Sequence, residues 1–150
     1  MNNPVPLRAP EEVTIGAIPA AEVGLVWEKV APHLQRVVDN AHGDLTLLAL
    51  RNRILKGDTQ LLVAARGDKV LAAFTAEVRT MDSDKRVLMV PCVGGDEMDS
   101  WLGLLNETVI QMAKEWCCDE IRGIGRPGWV RGLRKYGWKP AMSIVTLEMK

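Results

Sequence analysis

Apolar residues recur along this chain with two different periods, and the points where the period changes mark out its elements. Residues 1–12 carry Pro4, Pro6 and Pro10 with little periodicity and read as an extended arm ahead of a domain over 13–150. Val13–Ile18 has the composition of a short strand. From Ala20, the positions Val23, Val26, Trp27, Val30, Leu34, Val37, Val38 and Ala41 fall on one helical face. Pro32 lies inside that stretch and predicts a kink, or two short helices with Pro32 in the first turn of the second. Asp44 is placed to cap a helix from Leu45 to Lys56, which Gly57 ends. Thr59–Arg66 and Lys69–Thr80 flank Gly67-Asp68 as a hairpin, and Arg86–Val93 follows the turn Met81–Lys85. The unbroken apolar run Val87–Val90 predicts a strand buried on both faces.

The strongest helical period runs from Asp96 to about Trp116, with Met98, Trp101, Leu102, Leu105, Val109, Met112, Ala113 and Trp116 in one stripe. Glu120–Ile124 reads as a short strand and Trp129–Tyr136 as a short helix closed by Gly137. Ala141–Met149 alternates enough to be a last strand. Trp27, Trp101 and Trp116 fall on apolar stripes and read as core. Trp129 and Trp138 flank the short helix and are the better candidates for an interface.

The junction at Val93-Gly94-Gly95-Asp96 is where chemistry is most readily placed. A strand that breaks at glycines and turns into a helix leaves backbone N–H groups at a positive dipole end, suited to a phosphate-bearing cofactor. Asp96, Glu97 and Asp99 crowd the same mouth. Each stabilises the helix start by ~0.3–1 kcal/mol, and each repels a diphosphate by ~1 kcal/mol or more at intermediate dielectric. Arg126, Arg131 and Arg134 are the candidates for offsetting that repulsion if they fold over the mouth.

Composition removes several classes of function. The 150 residues are 47% hydrophobic and 25% charged, an ordinary globular balance. Nineteen Lys and Arg against nineteen Asp and Glu leave no overall field for nucleic acid or anionic lipid. The excess of base in the last third (Arg122, Arg126, Arg131, Arg134, Lys135, Lys139) fits contact with CoA phosphates, nucleic acid or an acidic partner, against the alternative of a solvated helix face, and is the one feature that speaks for nucleic acid. No apolar run approaches the ~20 residues that cross a bilayer, and the first residues lack a signal-peptide pattern, so a membrane span and secretion are not expected. Cys92, Cys117 and Cys118 fit neither a disulfide framework nor a zinc site, and no metal ligands are assigned. Small buried hydrophobes in a reducing compartment are the plainer reading.

The element order is strand, two helices, three antiparallel strands, long helix, strand, short helix, strand, with a glycine turn before the long helix. This resembles the GNAT acetyltransferase fold, an α/β (α+β) architecture. It implies a mixed, mostly antiparallel central sheet of about six strands with helices on both faces. The resemblance rests on Val90-Pro91-Cys92-Val93-Gly94-Gly95 before the long helix and on Leu133-Arg134-Lys135-Tyr136-Gly137-Trp138. A closer similarity is to small GNAT-like proteins encoded among the structural genes of tailed bacteriophages, through the run Gly125-Arg126-Pro127-Gly128-Trp129. Some of those are acetyltransferases and some are virion proteins, so the similarity implies both readings without choosing.

What the resemblance implies for the site follows residue by residue. Acetyl-CoA is the implied cofactor, with Val93, Gly94, Gly95 and Asp96 as backbone donors and Arg126 and Arg131 as phosphate contacts. Glu77 is the implied general base, since its strand borders the acceptor cleft in the family. A solvated edge residue is its structural alternative. Cys92 is the candidate acid for a leaving thiolate, or a nucleophile, against the alternative of a buried strand cysteine. Two departures stand out: the turn has no basic residue, and Leu133 occupies the position of the family's general-acid tyrosine, with Tyr136 displaced to the residue before Gly137. His33 and His42 are expected far from the strand tips, as surface or capping residues. Two functions therefore remain in view. One is a structural or binding component of a phage particle or its assembly, with a degenerate acetyl-CoA site and other phage proteins or its own copies as partners. The other is an active N-acetyltransferase acting on a protein or small-molecule amine. The corresponding locations are the virion and the host bacterial cytoplasm.

Overall fold

The computed structural model describes residues 12–125 and 127–149. The element order is β1 (Val13–Ile18), α1 (Val23–Asp39), α2 (Leu47–Lys56), β2 (Gln60–Arg66), β3 (Lys69–Thr80), β4 (Arg86–Gly95), α3 (Met98–Glu115), β5 (Glu120–Gly123) and α4 (Pro127–Arg134). The five strands form one sheet in sequence order, antiparallel from β1 to β4, with β5 added parallel to β4. This is the mixed, mostly antiparallel α/β architecture that the element order implies, with one strand fewer than about six. The expected extended arm lies almost entirely outside the described residues.

Alternation along the central strands sends side chains to two helical layers. Leu62, Ala64, Phe74, Leu88 and Val90 pack under α3 with Trp101, Leu105 and Val109. Leu61, Val63, Ala73 and Cys92 face α1 and α2, meeting Val23, Val30, Leu34, Leu50 and Ile54. β3 and β4 are buried along most of their length because helices cover both of their faces.

Several local expectations are corrected. Pro32 does not divide the first helix: α1 is continuous over Val23–Asp39, and the burial of Val30, His33 and Leu34 holds the turn around it. The second helix is capped by Thr46, whose Oγ1 accepts from the Ala49 N–H at 3.1 Å, and not by Asp44. The apolar stripe fixed that helix, while either of two polar residues could have begun it. Gly57 ends it in the left-handed conformation at φ 81°. β4 does not break at its glycines but remains paired to β3 through Gly94↔Ala73 and Gly95↔Ala72. α3 starts at Met98 behind Glu97, which is itself left-handed.

The largest difference is at the C-terminus. Residues 139–149 form no strand, and every one of them is exposed. β5 therefore has no second neighbour among the described residues.

Candidate active site

The sheet opens next to the glycine pair. β4 and β5 pair only over Val87–Val90 and Glu120–Gly123. Beyond Val90, β4 continues to Gly95 while the other chain segment leaves for α4. The Asp96 N–H donates to the Leu71 carbonyl at 2.8 Å, which sets the ladder phase on the β3 side. Alternation then turns the backbone groups of Val93 and Gly95 away from β3, toward the open edge. α3 begins directly above that edge. The N–H groups of Met98 and Asp99 find no acceptor among the described residues, as expected at an uncapped helix start.

The two glycines are required by packing. A Cβ on Gly94 would lie 2.3 Å from the His33 carbonyl oxygen, and one on Gly95 would lie 2.3 Å from the Ala72 Cβ. The room beside them is filled by α1 and β3, so the glycine pair seats a strand between its neighbours and opens no cradle there. The donors available to an anion come from the strand's open edge and the helix start.

The acidic mouth is neutralised by side chains that the sequence pattern does not single out. Arg36 of α1 donates to both Asp96 carboxylate oxygens, at 2.9 and 3.2 Å, and to the Gly95 carbonyl at 3.4 Å. Arg66 and Lys69, from the hairpin joining β2 and β3, reach the two Glu97 oxygens at 3.1 and 3.4 Å. The Arg36 guanidinium holds the Asp96 carboxyl below its ordinary range, and Arg66, with Lys69, does the same for Glu97. Three cations thus surround two of the three carboxylates and offset part of the expected repulsion of a diphosphate, while Asp99 has no ion pair among the described residues. The signal was present in the topology: in an antiparallel meander, the start of β3 must lie opposite the end of β4, which brings Lys69 and Arg66 to the mouth.

The expected arginines stand differently. Arg126 lies outside the described residues. Arg131 is exposed on α4 and makes no hydrogen bond to the mouth. α4 nonetheless borders the mouth, because a Cβ on Gly132 would lie 3.0 Å from Leu102 and 3.5 Å from the Met98 methyl. Trp129 stacks on Trp101 at 5.6 Å, and Trp138 donates from Nε1 to the Asn106 Oδ1 at 2.8 Å. Both tryptophans expected at an interface therefore anchor the short helix to α3. Leu133 packs into the core, and the Tyr136 hydroxyl sits over Gly103 of α3.

Glu77 lies opposite Met89 on β4, six residues before Gly95, or about 20 Å along the strand. It is mostly buried and accepts from Arg79 at 3.4 Å. It lines an open groove of about 360 Å³ with Asp58, Gln60, Val78 and Trp116. It is not the solvated edge residue of the alternative reading. Cys92 is fully buried opposite Thr75, and burial pushes its thiol up, partly offset by the Thr75 hydroxyl. A raised, inaccessible thiol is a poor nucleophile at neutral pH. In the folded protein Cys92 is expected to resist maleimide while the exposed Cys117 reacts. Mass mapping of the labelled peptides checks this, and rapid labelling of Cys92 would overturn it. His33 also departs from expectation: it is buried, its Nε2 lies 3.2 Å from the Val70 carbonyl, and its own backbone abuts Gly94.

No family model matches this chain, and no curated protein matches it significantly. Solved structures do. The chain superposes with a TM-score of 0.69 on the aminoglycoside N-acetyltransferase AAC(6')-Iy in complex with CoA, at 14% identity over 97% of this chain and 99% of the other. An aminoglycoside acetyltransferase from an uncultured soil metagenomic sample gives 0.63 at 12% identity, covering 92% and 97%. An acetyltransferase of Trypanosoma brucei gives 0.63 at 9% identity, covering 92% and 100%. The fold is the GNAT acetyltransferase fold. At these identities the likeness establishes architecture, and the chemistry must be argued from the side chains of this chain.

Proposed function

We propose that this GNAT-fold protein binds an acyl-coenzyme A, acetyl-CoA being the simplest, and uses it as an N-acetyltransferase. The observation that carries this reading is the cation set Arg36, Arg66 and Lys69 around a helix start whose Met98 and Asp99 N–H groups lack acceptors among the described residues. These residues fit a diphosphate. The backbone of Val93 and Gly95 on the open β4 edge fits the amide-bearing arm that follows it. The mouth and Glu77 are about 20 Å apart along β4, which suits a long cofactor held by its phosphates at one end and presenting its acyl group at the other. When bound, the cofactor would supply an activated acyl group for transfer to an amine.

The chain's own contribution is binding, orientation and proton handling. Met98 and Asp99 N–H groups, with Arg66 and Lys69, hold negative charge. The Val93 and Gly95 backbone fixes the direction of an extended ligand as a neighbouring strand would. Glu77, mostly buried and paired with Arg79, is the carboxylate that would take a proton from an amine entering the adjacent groove. Leu133 removes the expected tyrosine acid, so protonation of the leaving thiolate falls to solvent in this reading.

Calorimetry with CoA tests the binding site directly. Removing the Glu97 charge frees Arg66 and Lys69, so Glu97→Gln is expected to tighten binding by about threefold to tenfold. Arg66→Glu with Lys69→Glu is expected to weaken it by about tenfold or more. No heat at about millimolar CoA with the unaltered protein would overturn the reading.

A second reading, a structural or assembly component of a phage particle with a degenerate site, is supported by the Gly125–Trp129 run and by Leu133. It is further supported by the exposed apolar C-terminal segment. Under it, the protein would be recovered in stoichiometric amounts from particles and would ignore CoA.

A further inference from the structure

β3 outruns one of its two neighbours. β2 begins at Gln60, opposite Ala76, whereas β3 continues over Glu77–Thr80 and is paired there to β4 alone. Alternation fixes which backbone groups this leaves open. The Leu71 carbonyl accepts from the Asp96 N–H, and just past the strand the Met81 N–H donates to the Lys85 carbonyl, so the odd-numbered residues bond toward β4. The Ala76 carbonyl accepts from the Thr59 hydroxyl at 3.3 Å, so the even-numbered residues face the β2 side. Val78 and Thr80 therefore direct N–H and C=O to an edge where no described residue bonds them.

The groove of about 360 Å³ lies at this edge, lined among others by Asp58, Gln60, Glu77, Val78 and Trp116. It joins the unpaired backbone to side chains of two kinds. Val78 packs with Trp116 against the α3 layer, and Glu77, the next residue along the strand, stands on the opposite face. Asp58 is exposed and has no ion pair among the described residues, and the same is true of Asp82 and Asp84 in the adjoining turn. The cations at this end are engaged: Arg79 with Glu77, Lys85 with Glu120, and Arg86 with the Trp116 carbonyl. An open strand edge thus adjoins a surplus of negative charge and an apolar wall.

We propose that this β3 edge docks an extended basic segment of a partner protein as an added strand. Pairing to the Val78 and Thr80 backbone supplies affinity that any sequence shares, and alternation supplies the selection. The residue opposite Val78 turns its side chain toward Val78 and Trp116 and is apolar. Its neighbour, opposite Glu77, turns to the carboxylate face and is a lysine or arginine. A second copy of this chain fits the edge worse. The two-fold register that pairs Val78 of each copy with Thr80 of the other sets Arg79 directly opposite itself, where antiparallel strands approach most closely. The docking does not rest on the coenzyme reading. The mouth lies about 20 Å away along β4, and the segment needs no coenzyme to pair, so either reading can fail alone.

The probe is a blocked peptide, acetyl-Ser-Thr-Ile-Lys-Ser-Gly-amide, titrated into the isotope-labelled full chain without coenzyme and followed by NMR. The Val78 and Thr80 amides should shift saturably, with a Kd of about 0.1–1 mM, and their hydrogen exchange should slow. Glutamate in place of the peptide lysine should weaken binding by about tenfold or more, and so should Asp58→Lys in the protein. N-methylation of the peptide isoleucine removes the donor that faces Val78 and keeps every side chain, so it should abolish binding. Thr80→Pro removes an N–H that bonds nothing within the described chain and sits on an edge, where proline is tolerated. That variant should keep its melting temperature and lose the peptide. No shift at about 5 mM peptide, binding that survives N-methylation, or equal binding of the glutamate peptide would each overturn the docking. A Thr80→Pro chain that melts far below the unaltered protein would overturn it as well, since the edge would then already be paired.

Discussion

Trp101→Ala is expected to lower the unfolding free energy by about 3–5 kcal/mol, the largest effect of any single truncation in this protein. Trp101 is fully buried at the first turns of α3, where four elements meet. Its ring packs on Phe74 of β3 at 4.9 Å and on Trp129 of α4 at 5.6 Å. Its Nε1 donates to the Asp96 carbonyl at 2.6 Å. Truncation removes the ring from the core, leaves a cavity under the helix and strands a carbonyl at the mouth. A domain of this size melts roughly 2–4 °C lower per kcal/mol lost, so the midpoint should fall by about 10 °C or more. Trp101→Phe should recover much of the packing but not the hydrogen bond. Thermal unfolding followed by circular dichroism distinguishes these cases. A loss under about 1 kcal/mol for the alanine variant would show that the helix start is held by something other than this ring. Under the proposed reading, CoA binding would weaken as well, since Trp101 fixes the Asp96 carbonyl at the mouth.

The elements of this fold were legible because each is written in more than one way. α3 has an eight-residue apolar stripe, six members of which are buried in the helix itself. The β2–β3 hairpin has both its Gly67 turn and two β-rich flanks. What local pattern could not supply was the identity of neighbours. Arg36, Arg66 and Lys69 sit in three different elements, and only the antiparallel order brings them to Asp96 and Glu97. Read from the local run alone, Asp96, Glu97 and Asp99 look like a barrier to phosphate, when two of the three are already paired. Arg131, chosen for its nearness in sequence to a plausible loop, points to no partner at the mouth. His33 illustrates the same limit: its place in an amphipathic helix is clear, but its burial follows from the approach of Gly94. The C-terminal strand fails for a different reason. Its alternation is real, but a strand exists only where an edge accepts it, and among the described residues this segment pairs with none.

Gly94 provides the sharpest test of how β4 is seated, and with it the position of the mouth. Gly94→Ala is expected to cost about 3 kcal/mol, the upper part of the range for overpacking. The added Cβ would lie 2.3 Å from the His33 carbonyl oxygen and 2.9 Å from the Val37 Cγ2. The first contact is with helix backbone, which no rotamer change can relieve. Relief requires α1 to move off the sheet, and with it Arg36, which bridges to Asp96. Val37→Ala should therefore rescue little, because it clears only the side-chain contact. Gly16→Ala on β1 is the matched control, since nothing lies within 4 Å of its added methyl. That change should stay within about 0.5 kcal/mol of the unaltered protein. Denaturant unfolding of the three variants decides the matter. If Gly94→Ala proves as mild as Gly16→Ala, α1 does not press on β4 as described. The glycine pair would then be free for the ligand-cradling role that its place in the sequence suggests.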